Sequence, residues 1–214
     1  MLTHPMSLLA PPPRRLDGRH QRSQRTKELI TEAYLGLLRE SHEVPTASQI
    51  AERAGCSTRT VFGRFKDFAE LSVATCDYVI AQGQAATPLG DEVNAGRGRR
   101  LEFQVETRAR NCEDWLPLYR MLVRYEERVP ALKARVHELR DLTRTRLQAM
   151  YRPELSTLPD AEREALLIAL ESLTEFENWG RMRELHGLSF EAACAVWVNA
   201  IDRLLPPTPA AAAA

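Results

Sequence analysis

Apolar residues recur along this chain with the period of an α-helix. Leu29, Ile30, Ala33, Tyr34, Leu37 and Leu38 fall at i, i+1, i+4, i+5, i+8 and i+9, one face of a helix over about 26–40. Thr46-Ala47-Ser48-Gln49 has the T-x-x-Q form of a capping box and predicts a second helix. Ile50, Ala51 and Ala54 form its inward face, and Gly55 stops it. A short helix is expected over 58–65. Asp67-Phe68-Ala69-Glu70 is another capping box, opening a longer helix through Leu71, Val73, Ala74, Tyr78 and Val79 to about residue 84. Helical stripes resume over about 99–111, 113–128 and 130–151. Pro159 suits a first helical position, and Asp160 and Glu162 suit the positive end of a helix dipole. That helix carries Leu166, Ala169, Leu170, Leu173, Phe176 and Trp179 and is expected to run to Gly187. A last one carries Phe190, Ala193, Cys194, Trp197, Ile201, Leu204 and Leu205. Neither a strand pattern nor an internal repeat is present, so the expected fold is all-α.

Composition narrows the picture. The chain has 214 residues, enough for one or two domains at roughly 150 residues each. Its 44% hydrophobic and 27% charged content is that of a globular protein. The formal charge of zero hides an asymmetry. Arg14 to Lys66 holds 11 basic and 6 acidic residues, and the remainder holds 18 and 23. A basic front and an acidic back imply that only the front meets a polyanion. The four cysteines form no CxxC or Cys/His cluster, so no metal site is expected and the thiols are read as reduced. No apolar run approaches the roughly 18 residues of a membrane span. The Pro-rich start makes a poor signal peptide, and the expected location is the cytoplasm. No G-x-S-x-G, P-loop or H-E-x-x-H is present. The chain is therefore expected to be no enzyme and to hold no cofactor.

The informative segment is 46–65. Two short helices around Gly55-Cys56-Ser57 form a helix-turn-helix. On the third helix Val61 and Phe65 point toward the first helix. Arg59, Thr60 and Gly63 point away, Phe62 and Lys66 lie at one edge, and Arg64 lies on the other flank. A short, polar, basic outward face on an anchored helix fits a major groove. Upstream, six basic residues, among them Arg22 and Arg25, face one acid between Arg14 and Lys27. Such an arm suits phosphate contacts.

The ordered set Ile30, Ala33, Thr46, Ile50-Ala51, Ala54-Gly55, Ser57, Thr60, Phe62, Phe65 and Leu71 resembles the N-terminal domain of the TetR (tetracycline-repressor) family of bacterial transcription regulators. The resemblance implies a three-helix DNA-binding domain followed by a helical ligand-binding and dimerisation domain. It implies that Thr58, Arg59, Thr60, Phe62, Gly63 and Arg64 face double-stranded DNA. It also places Thr46 and Ser48 at phosphates, and gives the helix over 67–84 the task of transmitting a ligand signal. One departure stands out: Phe68 occupies a place where the family often has Lys, and Lys66 is the nearby substitute. The run from Leu170 to Leu205 is similar to the family's last two helices, which build a four-helix bundle in a homodimer.

The expected organisation is a basic arm over 1–22, a DNA-binding domain over 23–82, a ligand-binding and dimerisation domain over 83–205, and a loose tail over 206–214. Trp115, Tyr119, Met121, Tyr125, Phe176 and Trp179 are the candidate lining of an apolar pocket for a small-molecule effector. Leu173, Phe176, Trp197, Ile201 and Leu204 are the candidate dimer contacts. The reading is a ligand-responsive repressor that binds a near-palindromic operator as a dimer. The alternatives are a helical interaction protein without a DNA role and an activator of the same build.

Overall fold

The computed structural model describes residues 18–41, 43–86 and 88–210. Residues 1–17, with Arg14 and Arg15 of the expected arm, lie outside the described residues. Among the described residues the secondary structure is helical throughout.

Helix α1 (Gly18–Ser41) begins eight residues before the apolar stripe suggests. Residues 20–26 bury nothing large, and local bonds such as Arg22 Nε to the Gly18 carbonyl, 3.0 Å, run along these turns. Helix α2 (Ala47–Arg53) starts at the expected box. The Gln49 amide donates to the Thr46 hydroxyl, and the Gln49 side-chain carbonyl accepts from the Thr46 amide. Gly55 then turns the chain with φ 65°, a left-handed conformation that costs a residue with a Cβ about 1–2 kcal/mol. Helix α3 (Thr58–Arg64) is capped by Ser57, whose hydroxyl accepts from the Thr60 amide. Helix α4 (Phe68–Ala86) is capped by Asp67, which accepts from the Glu70 amide at 2.9 Å. The Glu70 carboxylate reaches back to the Lys66 amide, one residue earlier than the expected box.

A 3-10 turn at Asp91–Asn94 leads into α5 (Arg97–Glu126), a single helix where the stripes suggest two. Pro117 lies inside it. Proline has no N–H to give the carbonyl four residues back, and its ring crowds it. One residue along, the Asp114 carbonyl accepts from Arg39 Nε of α1 at 2.9 Å. Helix α6 (Pro130–Met150) returns antiparallel to α5, and a short turn of helix, α7 (Arg152–Leu155), follows.

The helix expected over 159–187 is three pieces: α8 (Asp160–Leu173), α9 (Phe176–Gly180) and a π-helical turn at Arg181–Leu185. Pro159 is the cap preceding α8 rather than its first residue. The break at Thr174 lets α9 lie against α5. A Cβ on Gly180 would come within 2.7 Å of Arg120 and 2.9 Å of Leu116, so only glycine permits this approach without a shift. Arg120 then pairs with Glu177 and Glu184 and fastens the segment. Helix α10 (Phe190–Leu204) closes the fold.

Two apolar cores result. One joins the first part of α5 to the C-terminal end of α6 and to α7–α10. The other joins α1–α4 to Leu118, Met121 and Leu122 of α5 and to Leu132 and Val136 of α6. The helix-turn-helix unit therefore shares its core with the α5–α6 hairpin, and Trp115 packs against both cores. The start of the expected loose tail is docked. Arg97 donates to the Pro206 carbonyl at 2.6 Å and to the Asp202 carbonyl at 2.7 Å, satisfying the end of α10. The Thr208 hydroxyl donates to Glu154, which is buried with Arg100 as an ion pair. Residues 211–214 lie outside the described residues.

Candidate nucleic-acid interface and an internal cavity

Helix α3 is anchored from one side. Val61 and Phe65 are 3% and 2% exposed, and both belong to the core shared with α1 and α4. Lys27 of α1 lies 5.4 Å from the centre of the Phe65 ring. The opposite face points to solvent. Thr58, Arg59 and Gly63 are exposed, and Phe62 is 53% exposed. An aromatic side chain left in water on a seven-residue helix contributes little to this chain's own core. Gly63 is the second oddity. A Cβ there would meet nothing within 4 Å, although glycine inside a helix costs about 1 kcal/mol relative to alanine. Neither internal packing nor backbone conformation requires Phe62 or Gly63, but the close approach of another molecule would use both.

The remaining expected contacts divide. Thr60 is half-buried, with its hydroxyl 2.9 Å from that of Ser57, so it works for the cap. The Thr46 hydroxyl is likewise engaged with Gln49. Ser48 is exposed on the first turn of α2, beside the free amides of a helix N-terminus, where an anion is favoured. Arg64 is half-buried and Lys66 is exposed. Arg22 and Arg25 are exposed on the first turns of α1, Arg25 with Glu28 at 3.6 Å.

Between α4, α5 and α6 lies a cavity of about 350 Å³. Gln104, Thr107, Arg108, Asn111, Trp115, Leu118, Tyr119 and Leu122 line it from one face of α5. Val79 and Ile80 close it from α4, and Leu139, Leu142, Thr143 and Arg146 from α6. Phe176 forms part of its wall and stacks on Tyr119, with ring centres 4.5 Å apart. The Tyr119 hydroxyl donates to Glu175 at 2.8 Å, and burial pushes its pKa up. A recess of about 240 Å³ adjoins the cavity and adds Arg140, Glu171, Ser172 and Glu175 to residues the two share.

Three of the six expected lining residues, Trp115, Tyr119 and Phe176, meet at this cavity. The other three lie elsewhere. Met121 is buried against α4, its sulfur 3.7 Å from the Ser72 hydroxyl. Tyr125 packs at the edge of the same core. Trp179 is 1% exposed between Phe190 and Trp197, and its indole N–H donates to Glu113 at 2.6 Å. The polar lining from α5 and α6 is not among the expected residues, because it carries no aromatic ring. Its signal was available as Gln104, Thr107, Arg108 and Asn111 at helical spacing on one face.

Of the expected dimer contacts, Phe176, Trp197 and Ile201 are 6%, 1% and 0% exposed in the single chain. They are core residues of this chain. Leu173 is half-buried and Leu204 is exposed. Apolar and small residues that do face outward are Ala165, Ile168 and Ala169 on α8, and Ala192, Ala195 and Val196 on α10.

No protein-family model and no curated protein matches the sequence. Solved structures do match the fold. A TetR-family transcriptional regulator from a Rhodococcus species is similar at TM-score 0.63 and 17% identity, over 84% of this chain and 98% of that one. Another, from Mesorhizobium loti MAFF303099, is similar at 0.63 and 17%, over 86% and 96%. The multidrug-binding protein EbrR, complexed with imidazole, follows at 0.57 and 17%, over 86% and 97%. The chain has the fold of these regulators: an N-terminal helix-turn-helix domain joined to a C-terminal helical domain.

Proposed function

We propose that the chain is a DNA-binding transcriptional regulator of the TetR type, acting as a homodimeric, ligand-responsive repressor. The observation that carries this reading is the outward face of α3. Arg59, Phe62 and Gly63 are presented to solvent on a helix whose inward residues are locked in a core. The fold shared with TetR-family regulators supports the same reading. In it, α3 enters the major groove, Arg59 reaches a base edge, and Phe62 packs on the sugar-phosphate backbone. Ser48, Lys66, Arg22 and Arg25 add phosphate contacts.

The effector site is the cavity between α4, α5 and α6. EbrR, which shares the fold, has been captured with imidazole and with malachite green. Two features tie the cavity to the DNA-reading unit. Its α4 wall continues directly from α3, and its Trp115 ring is covered by the Arg39 guanidinium of α1, 4.3 Å from the ring centre. A ligand that prefers a different placement of α1 and α4 lowers DNA affinity by its differential binding, about 1–3 kcal/mol in ordinary allosteric systems. The dimer forms through the outward strips of α8 and α10, where small residues permit close helix approach.

Selection of genomic DNA fragments on the purified full-length chain tests the function. Enriched fragments sharing an inverted repeat support it. Fragments no richer in any motif than the input at low salt would mean that the chain is not a sequence-reading regulator.

A further inference from the structure

We propose that the cavity takes an aromatic carboxylic acid, with its carboxylate on Arg108 and its rings toward Trp115. The proposal rests on the reading of this cavity as the effector site and names the class of effector. It starts from the charge on the walls. Two residues of the cavity lining carry charge and both are arginines, while Glu171 and Glu175 line the adjoining recess that shares Arg108. A cationic, partly desolvated wall favours an anion, because the anion offsets the cost of holding guanidinium groups away from water.

Both arginines are held in place. Arg108 donates from Nε to the Thr174 carbonyl at 2.8 Å, and its guanidinium lies 4.5 Å from the centre of the Phe176 ring. Those contacts fix its plane and engage one nitrogen. The acids of the adjoining recess pair elsewhere, Glu175 with Arg140 and Glu171 with Arg144. Arg146 donates from Nε to Gln104 at 2.9 Å and lies 5.6 Å from the Phe103 ring. Burial pulls its pKa down, against the opposing charge of Glu92. A planar guanidinium with a fixed plane suits the two-oxygen fork of a carboxylate.

The rest of the lining grades from polar to apolar along α5. Gln104, Thr107, Arg108 and Asn111 occupy its earlier turns, and Trp115, Leu118 and Leu122 its later ones. Arg108 and Trp115 are two turns apart on one face, about 10 Å at 1.5 Å per residue. That span matches a carboxylate on a two-ring body. Phe176 and Tyr119, already stacked, form a flat wall beside it.

The test is a calorimetric titration of the full-length protein with three probes of one shape: 2-naphthoate, 2-naphthamide and 2-naphthylmethylammonium. The expected result is one naphthoate site per chain, at least tenfold tighter than the amide, with the ammonium weakest. Arg108→Gln should bring naphthoate to the level of the amide and leave the amide unchanged. Arg108→Lys, which keeps the charge and loses the fork, should fall between. The comparison of probes on the wild-type protein needs no variant to fold. If amide or ammonium binds as tightly as naphthoate, the anion proposal is overturned and the effector cavity stands. If none of the three binds, the cavity reading and the proposal are overturned together, while DNA binding by α3 is untouched.

Discussion

Phe62 and Phe65 are one helical turn apart and differ in little but direction. Phe65 closes the core under α3 and is 2% exposed, whereas Phe62 stands in solvent. Phe65→Ala should therefore cost about 3–5 kcal/mol of stability. Phe62→Ala should leave stability within about 0.5 kcal/mol and weaken operator binding; denaturant unfolding and a mobility-shift titration read the two effects separately. Arg59→Ala should cost roughly 1–3 kcal/mol in operator binding and relax the preference at one position of each half-site. Single-base operator variants check this, and an unchanged preference at every position would remove Arg59 from the base edge. Glu113 bears on stability instead. Burial pushes its carboxyl pKa up, but hydrogen bonds from Arg183 and the Trp179 indole outweigh that and hold it below its ordinary value. A carboxylate whose folded pKa is depressed contributes stability above its unfolded pKa, and the contribution is lost as pH falls through the folded value. The thermal midpoint of the wild-type protein should accordingly fall on acidification below the ordinary carboxylate range. Glu113→Gln should lower the midpoint at neutral pH and flatten that acid limb.

At the level of elements, the helix-turn-helix was the most legible part of the sequence because its signals are local. Thr46, Ser57 and Asp67 cap within their own turns, and Gly55 adopts the positive φ that its place demands. Gly55→Ala should cost about 1–2 kcal/mol with no loss of packed atoms, which denaturant unfolding would read as a shifted midpoint at constant slope. The helices whose bounds differ from the expected ones obey longer-range causes. The start of α1 carries no apolar stripe, and residues 20–26 bury no large side chain. The break after α8 depends on neighbours, Leu116 and Arg120 of α5 against Gly180. The apolar period runs on through 166–179, so nothing local marks Thr174 as an end. The cavity was half-legible for a related reason. Aromatic residues mark apolar space but not whether it is filled, and Trp179 and Met121 turned out to fill it.

The whole molecule couples two cores through one hairpin, and its charge is divided in the same sense, basic toward α1–α3 and acidic beyond. Trp197 and Ile201 lie inside one chain, so the proposed dimer must use the strips outside them. Ile168 is 53% exposed and Val196 46%. Ile168→Glu should leave the single chain folded, because the side chain already meets water, and should yield a monomer in sedimentation. A two-fold interface repeats the added charge on both sides and leaves it without a partner. The same variant should lose operator affinity although α3 is untouched. The most direct measurement is a hydroxyl-radical footprint of the wild-type protein on a fragment selected from genomic DNA. The account predicts two equivalent protected half-sites related by a dyad, on one face of the duplex, with centres about 34 Å apart or a multiple of it. Uniform protection along the fragment, or none at protein concentrations that saturate non-specific DNA, would contradict it.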